Sequence, residues 1–271
     1  LVRLFSSPVF AFLLFVPLLL NSPFPLIAIQ LYPDGAALLF CVLVLNCLLF
    51  PFRDRNINDF FLLVGIGFLP WLHQRFIPLS MALYLVYLFY QKKNGLSSRR
   101  VLSVSLLLII LSAPYFYYFY SITGNPSPLS TSQFYGYTHA QLNTLPLGFF
   151  GQIFSTKEGL LWVYPWIVFS FLGIYWGLKK DKRLAGILFF IFFSYYLVCS
   201  AAVPWSGASI PVGRFSLPLL PVYLIFVGFA LEDLYRRFSL KKLVFEAGLF
   251  IIILLNGKFA FSRFEFSYRK I

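Results

Sequence analysis

A small set of ionisable side chains stands apart from the basic turns of this chain: Asp34, His73, Arg75, His139, Lys157, Glu158 and Arg214. Asp34 lies in Tyr32-Pro33-Asp34-Gly35, at the mouth of an apolar run. A carboxylate there can take a proton from an acceptor hydroxyl or order a phosphate through a metal. Arg75 and Arg214 each carry a planar fork of donors that matches phosphate oxygens, and His73 can donate a hydrogen bond or ligate a metal. Glu158 opens an apolar segment and could form part of a cavity wall. Each also has a plain structural reading. Asp34 fits a helix N-cap, and Glu158 fits the positive end of a helix dipole. Trp71 and Arg75 fit interfacial anchoring. His139 is isolated. His73, His139 and a carboxylate could supply three zinc ligands, but no spacing demands it.

The elements that must carry these residues follow from composition. The chain is 60% hydrophobic and 11% charged over 271 residues, against about 25% charged in soluble domains. Its apolar residues form continuous runs of about 12 to 20, the length that crosses a hydrocarbon core of roughly 30 Å as a helix. Continuous runs rather than alternation argue against a membrane β-barrel. The expected class is an all-α, polytopic transmembrane bundle, with residues 1–271 forming a single transmembrane domain. The net charge of +13 does not point to nucleic acid, because the basic residues fall in short clusters between apolar runs. That is the positive-inside pattern, and it makes membrane lipids the natural partner. Cys41, Cys47 and Cys199 all lie within apolar runs with no paired spacing, so they read as packing residues.

Sidedness follows from the basic turns. Arg3, then Arg53 and Arg55, then Lys92, Lys93, Arg99 and Arg100, then Lys179 to Arg183, then Arg236 to Lys242 mark one side. The connecting loops of the other side hold only Arg75, Lys157 and Arg214, and a basic tail after Asn256 breaks the bias. The reading gives about nine membrane segments. Residues 60–71 and 77–90 are expected as a hairpin of two short segments joined by Leu72-His73-Gln74-Arg75-Phe76, tilted or partly inserted because each is short for a full span. Residues 101–120 end in an aromatic run suited to an interfacial belt. Residues 121–158 form a long outer loop and 203–214 a second one. The second is rich in small residues that let a ligand approach, and it ends on one arginine that must find an anion.

The order of these pieces resembles one family. Tyr32-Pro33-Asp34 stands at a span mouth and Pro70-Trp71-Leu72-His73-Gln74-Arg75-Phe76 at a hairpin. Lys157-Glu158-Gly159-Leu160-Leu161-Trp162-Val163-Tyr164-Pro165-Trp166 opens a span. Trp205-Ser206-Gly207 through Gly213-Arg214-Phe215 is followed by Leu217-Pro218-Leu219-Leu220-Pro221. Together they resemble the later part of GT-C class membrane glycosyltransferases, the group of protein O-mannosyltransferases and aminoarabinose transferases, in its family-39-like branch. The resemblance spans roughly residues 29–221. It implies transfer of a sugar, with inversion, from a polyprenyl-phosphate carrier to a hydroxyl of a glycan, lipid or protein acceptor on the extracytoplasmic side. The implied setting is the cytoplasmic (inner) membrane of a bacterium or archaeon and cell-envelope chemistry. Asp34 would match an acidic loop position, with Glu158 as a second candidate catalytic carboxylate. Arg75, Arg214 and His73 would bind the donor phosphate. Tyr32, Trp71, Tyr135, Tyr137 and Trp205 would line the substrate cavity, where aromatic faces can stack on a sugar. No cofactor is required by the residues, though a divalent metal could assist. The family's principal catalytic carboxylate belongs to a loop upstream of the matched region. The chain therefore reads as a fragment, inactive by itself.

Three other classes use similar features. A transporter is disfavoured by the scarcity of charge inside the spans, where Glu246 alone falls. A flippase or polymerase of lipid-linked glycans would use outer-loop arginines, which the loop 121–158 lacks. A non-catalytic membrane subunit requires nothing further.

Overall fold

The computed structural model describes residues 33–93, 98–128, 142–155, 159–163, 165–202 and 214–237. These residues are helical throughout, joined by turns, with no strand among them. We label the α-helices α1 (Pro33–Leu49), α2 (Arg55–Leu72), α3 (Ile77–Lys93), α4 (Ser98–Thr123), α5 (Leu145–Phe154), α6 (Leu160–Val163), α7 (Val168–Lys180), α8 (Lys182–Ala201) and α9 (Leu220–Arg237). Three stretches, Arg99–Thr123, Lys182–Ala201 and Phe215–Leu234, are long and apolar enough to cross a membrane. The protein is accordingly a helical membrane protein.

Local chemistry explains the boundaries. Pro33 opens α1, where its missing N–H costs nothing, and Asp34 falls in the first turn beside the positive end of the helix dipole. Asp34 is thus the second residue of the helix, two positions inside the cap rather than the cap itself. Asp54 caps α2, accepting from the backbone N–H of Asn56 at 2.8 Å and of Ile57 at 3.4 Å. Asp181 does the same for α8, accepting from the N–H of Arg183 and of Leu184, each at 3.0 Å. It is also the single residue between α7 and α8. Helix α4 stops at Gly124, whose φ of 71° closes a left-handed cap, with its N–H bonded to the Tyr120 carbonyl at 2.8 Å.

The two hairpin helices are longer than the apolar runs suggested. With 18 and 17 residues, α2 and α3 reach about 27 and 26 Å at 1.5 Å per residue. The difference is polar: Arg55 to Asp59 and Gln91 to Lys93 extend the helices past their apolar stretches. The span expected to open with Lys157 to Trp166 is broken into α6, a 3₁₀ turn over Pro165–Ile167 and α7. Proline cannot donate to a helix ladder. The expected outer loop 121–158 contains α5, a mostly apolar helix of ten residues.

The chain clusters into two compact units. One comprises residues 36–149 and 190–205, the other residues 1–35, 150–189 and 206–271. In the first, α2 and α3 are joined by a bond from the Ser80 hydroxyl to the Ile66 carbonyl at 2.8 Å, and Tyr84 and Ser105 join α3 to α4 through their hydroxyls. Interhelical bonds of this kind are the polar adhesive of membrane bundles. In the second, α7 packs on α9 through Gly173 and Gly177. A Cβ on Gly173 would stand 1.8 Å from the Phe226 carbonyl oxygen, so the backbones touch directly. This Gly-x-x-x-Gly spacing places both glycines on one face.

Candidate functional site at the hairpin tip

The turn between α2 and α3 gathers three of the expected site residues. Trp71 lies in the last turn of α2, 44% exposed. Its indole N–H donates to the Leu111 carbonyl at 3.3 Å, and its ring meets Tyr115 edge-on at 5.6 Å between centroids. His73 ends α2 in an extended conformation and caps the 3₁₀ turn Gln74–Phe76, its Nδ1 accepting from the Arg75 N–H at 3.2 Å. That bond leaves Nε2 as the protonated nitrogen of the neutral ring. The Arg75 guanidinium lies over the Phe76 ring at 5.0 Å, a cation–π contact. Phe76 is fully buried and stacks on Tyr195 at 5.7 Å. A buried ring pinned by a second aromatic therefore fixes the place of the arginine.

The remaining expected site residues divide differently. Asp34 is wholly buried at the start of α1. Arg214 begins the 3₁₀ turn Arg214–Leu219; its side chain lies outside the described set. Arg75 belongs to the first compact unit, Asp34 and Arg214 to the second. Glu158, Tyr32, Tyr135, Tyr137, Trp205 and His139 lie outside the described residues. Among the described residues, no three His, Cys, Asp or Glu side chains come together to hold a metal ion. The three cysteines are buried free thiols.

The opposite ends of the same helices carry a polar cluster that the sequence reading passed over. Asp59, buried on α2, is paired with Arg100 of α4 at 2.8 Å. Gln91 of α3 donates to the other Asp59 oxygen at 3.4 Å and accepts from Arg55 at 3.1 Å. Arg100 also donates to the Asn56 side chain at 3.0 Å. The available signal was the position of Asp59, four residues inside α2, on the apolar side of Arg55, where a carboxylate needs a partner.

No protein-family model, curated protein or solved structure matches the chain. The site has to be read from its own geometry.

Proposed function

We propose that this chain is a multi-pass membrane protein of lipid-linked sugar chemistry, in which Arg75 and His73 meet the phosphate of a polyprenyl-phosphate sugar. The reaction class that fits is glycosyl transfer to a hydroxyl on the extracytoplasmic side, in the manner of the GT-C enzymes. Departure of a sugar from phosphate needs charge stabilisation at the leaving group, which guanidinium supplies.

One observation carries this reading. Arg75 sits at the tip of the α2–α3 hairpin, while the far ends of the two helices carry Arg55 on α2 and Lys92 and Lys93 on α3, with Arg53 just before α2 and Arg99 and Arg100 in the first turn of α4. Arginines concentrated at one pole orient that pole toward the cytoplasm. An arginine at the other pole, over a buried ring and beside an exposed tryptophan, would then meet an isoprenoid phosphate at the membrane boundary.

The test is binding of a polyprenyl-phosphate sugar to the purified protein in nanodiscs. Arg75→Ala should weaken binding by about tenfold or more, the worth of one charge-assisted hydrogen bond. Arg75→Lys should lose most of that as well, because a point charge cannot replace the fork. Unchanged affinity in both variants would remove Arg75 from the donor site.

A further inference from the structure

The pole of the hairpin helices opposite Arg75 encloses a cavity of about 300 Å3. Its floor is apolar, formed by Cys47, Leu48 and Leu62, and its polar wall includes Asn58, Asp59, Tyr87 and Gln91. Arg53 and Arg55 stand at its rim, both exposed.

The charges around this cavity are unevenly committed. Asp59 is already neutralised by Arg100 and further bonded by Gln91. Asp54 is occupied in capping α2. Arg55 uses one guanidinium nitrogen on Gln91, which turns its side chain toward the cavity wall. Arg53 makes no hydrogen bond or ion pair with any described residue. The Tyr87 hydroxyl is buried beside Gln91 and lacks a well-formed hydrogen bond. Two exposed guanidinium groups and one buried phenol therefore line the same small volume with donor capacity left over. Of these only the phenol is buried; a buried hydroxyl that is poorly bonded is costly, and a bound oxyanion would relieve that cost.

We infer that this cavity is a binding site for the phosphate headgroup of an anionic glycerophospholipid. The surroundings favour a lipid over a soluble phosphate. Phe52, Ile57 and Phe60, around the N-terminal end of α2, are exposed large apolar side chains. They offer acyl chains a surface beside the basic rim. Headgroup phosphate would take the fork of Arg53 and the remaining donors of Arg55, and the Tyr87 hydroxyl would donate from the wall. Neutralising Arg100 internally keeps that residue from competing for the phosphate. This inference concerns a second site and holds or fails independently of the sugar-donor reading.

Native mass spectrometry of the protein in neutral detergent, with phosphatidylglycerol or phosphatidylcholine added, tests it. Phosphatidylglycerol should be retained about tenfold better, and the double variant Arg53→Gln/Arg55→Gln should bring it down to the phosphatidylcholine level. Tyr87→Phe, which keeps the ring, should cost about threefold. Equal retention of both lipids by the unaltered protein would overturn the inference, as would full retention by the double variant. Displacement of the lipid by glycerol 3-phosphate at matching concentration would assign the site to a soluble phosphate ester and refute the lipid. If the double variant loses thermal stability, Arg53→Gln alone decides, since Arg53 bonds to nothing among the described residues.

Discussion

Helices α7 and α9 are held together by closeness, whereas α2, α3 and α4 are held together by side chains reaching across. In the first pair Gly173 brings backbone against backbone, and nothing between them can yield. In the second group a serine, a tyrosine and a carboxylate–arginine pair bridge the helices. The burial of the two groups differs in the same sense. The membrane-length stretch of α9 is 89% buried, while that of α4 is 11% buried and presents leucines, isoleucines and tyrosines outward. A helix apolar all round can be either a core element or a lipid-facing one. Small residues on a neighbour make the first possible by letting dispersion contacts accumulate along the whole helix. Polar bridges suit the second, because a few directional bonds hold a helix that has little of its surface packed.

The contrast is most easily broken at Gly173. Gly173→Ala sets a methyl against a carbonyl oxygen, and the backbone of α9 cannot move aside, so the loss should be about 3 kcal/mol or more. The checking measurement is the unfolding midpoint in one detergent together with monodisperse yield; a wild-type midpoint would mean that α7 and α9 do not meet there. Asp59→Ala should come next, at about 2 kcal/mol. It strands Arg100, but that side chain is 32% exposed, so water offsets part of the full cost of an unpaired buried charge. Adding Arg100→Leu should return part of the loss, and a double-mutant cycle measures it. Gly65→Ala should cost less, about 1 kcal/mol, although the new methyl would lie 2.4 Å from a Val44 methyl. Here the obstacle is a side chain that can turn, and Val44→Ala in the same protein should restore the midpoint. At the far end of the series, Gly186→Ala on α8 meets nothing within 4 Å. It should leave stability unchanged or raise it by up to about 1 kcal/mol through helix propensity. A fall at Gly186 comparable with that at Gly65 would show that packing, rather than the identity of the obstacle, was misjudged.

The two poles of the α2–α3 hairpin differ in another way. At one, Arg100 is consumed by Asp59 and serves the fold. At the other, Arg75 lies over the face of the buried Phe76 ring. The residue type is the same, and the neighbours differ. The sequence shows both as arginines beside apolar runs, and it cannot rank them.

What the residue order alone determined was the class of element and much of its placement. Continuous apolar runs fix helices in lipid, because only a helix satisfies every backbone group within one segment. Proline, aspartate and glycine mark starts and stops, as Pro33, Asp54, Asp181 and Gly124 do here. The hairpin tip, with Trp71, His73 and Arg75, was legible because its charge stands out against an apolar background. Other features were settled only by the tertiary arrangement. Helix α5 was hidden inside a stretch read as loop, since ten residues are too few to announce a span. The partnership of Asp59 with Gln91 and Arg100 joins three helices across 41 positions of sequence. The glycines of α7 became a packing face only when α9 lay against them. Local composition sets how each segment meets its solvent, but which side chains neutralise one another depends on the register between helices, and register is a property of the assembled chain.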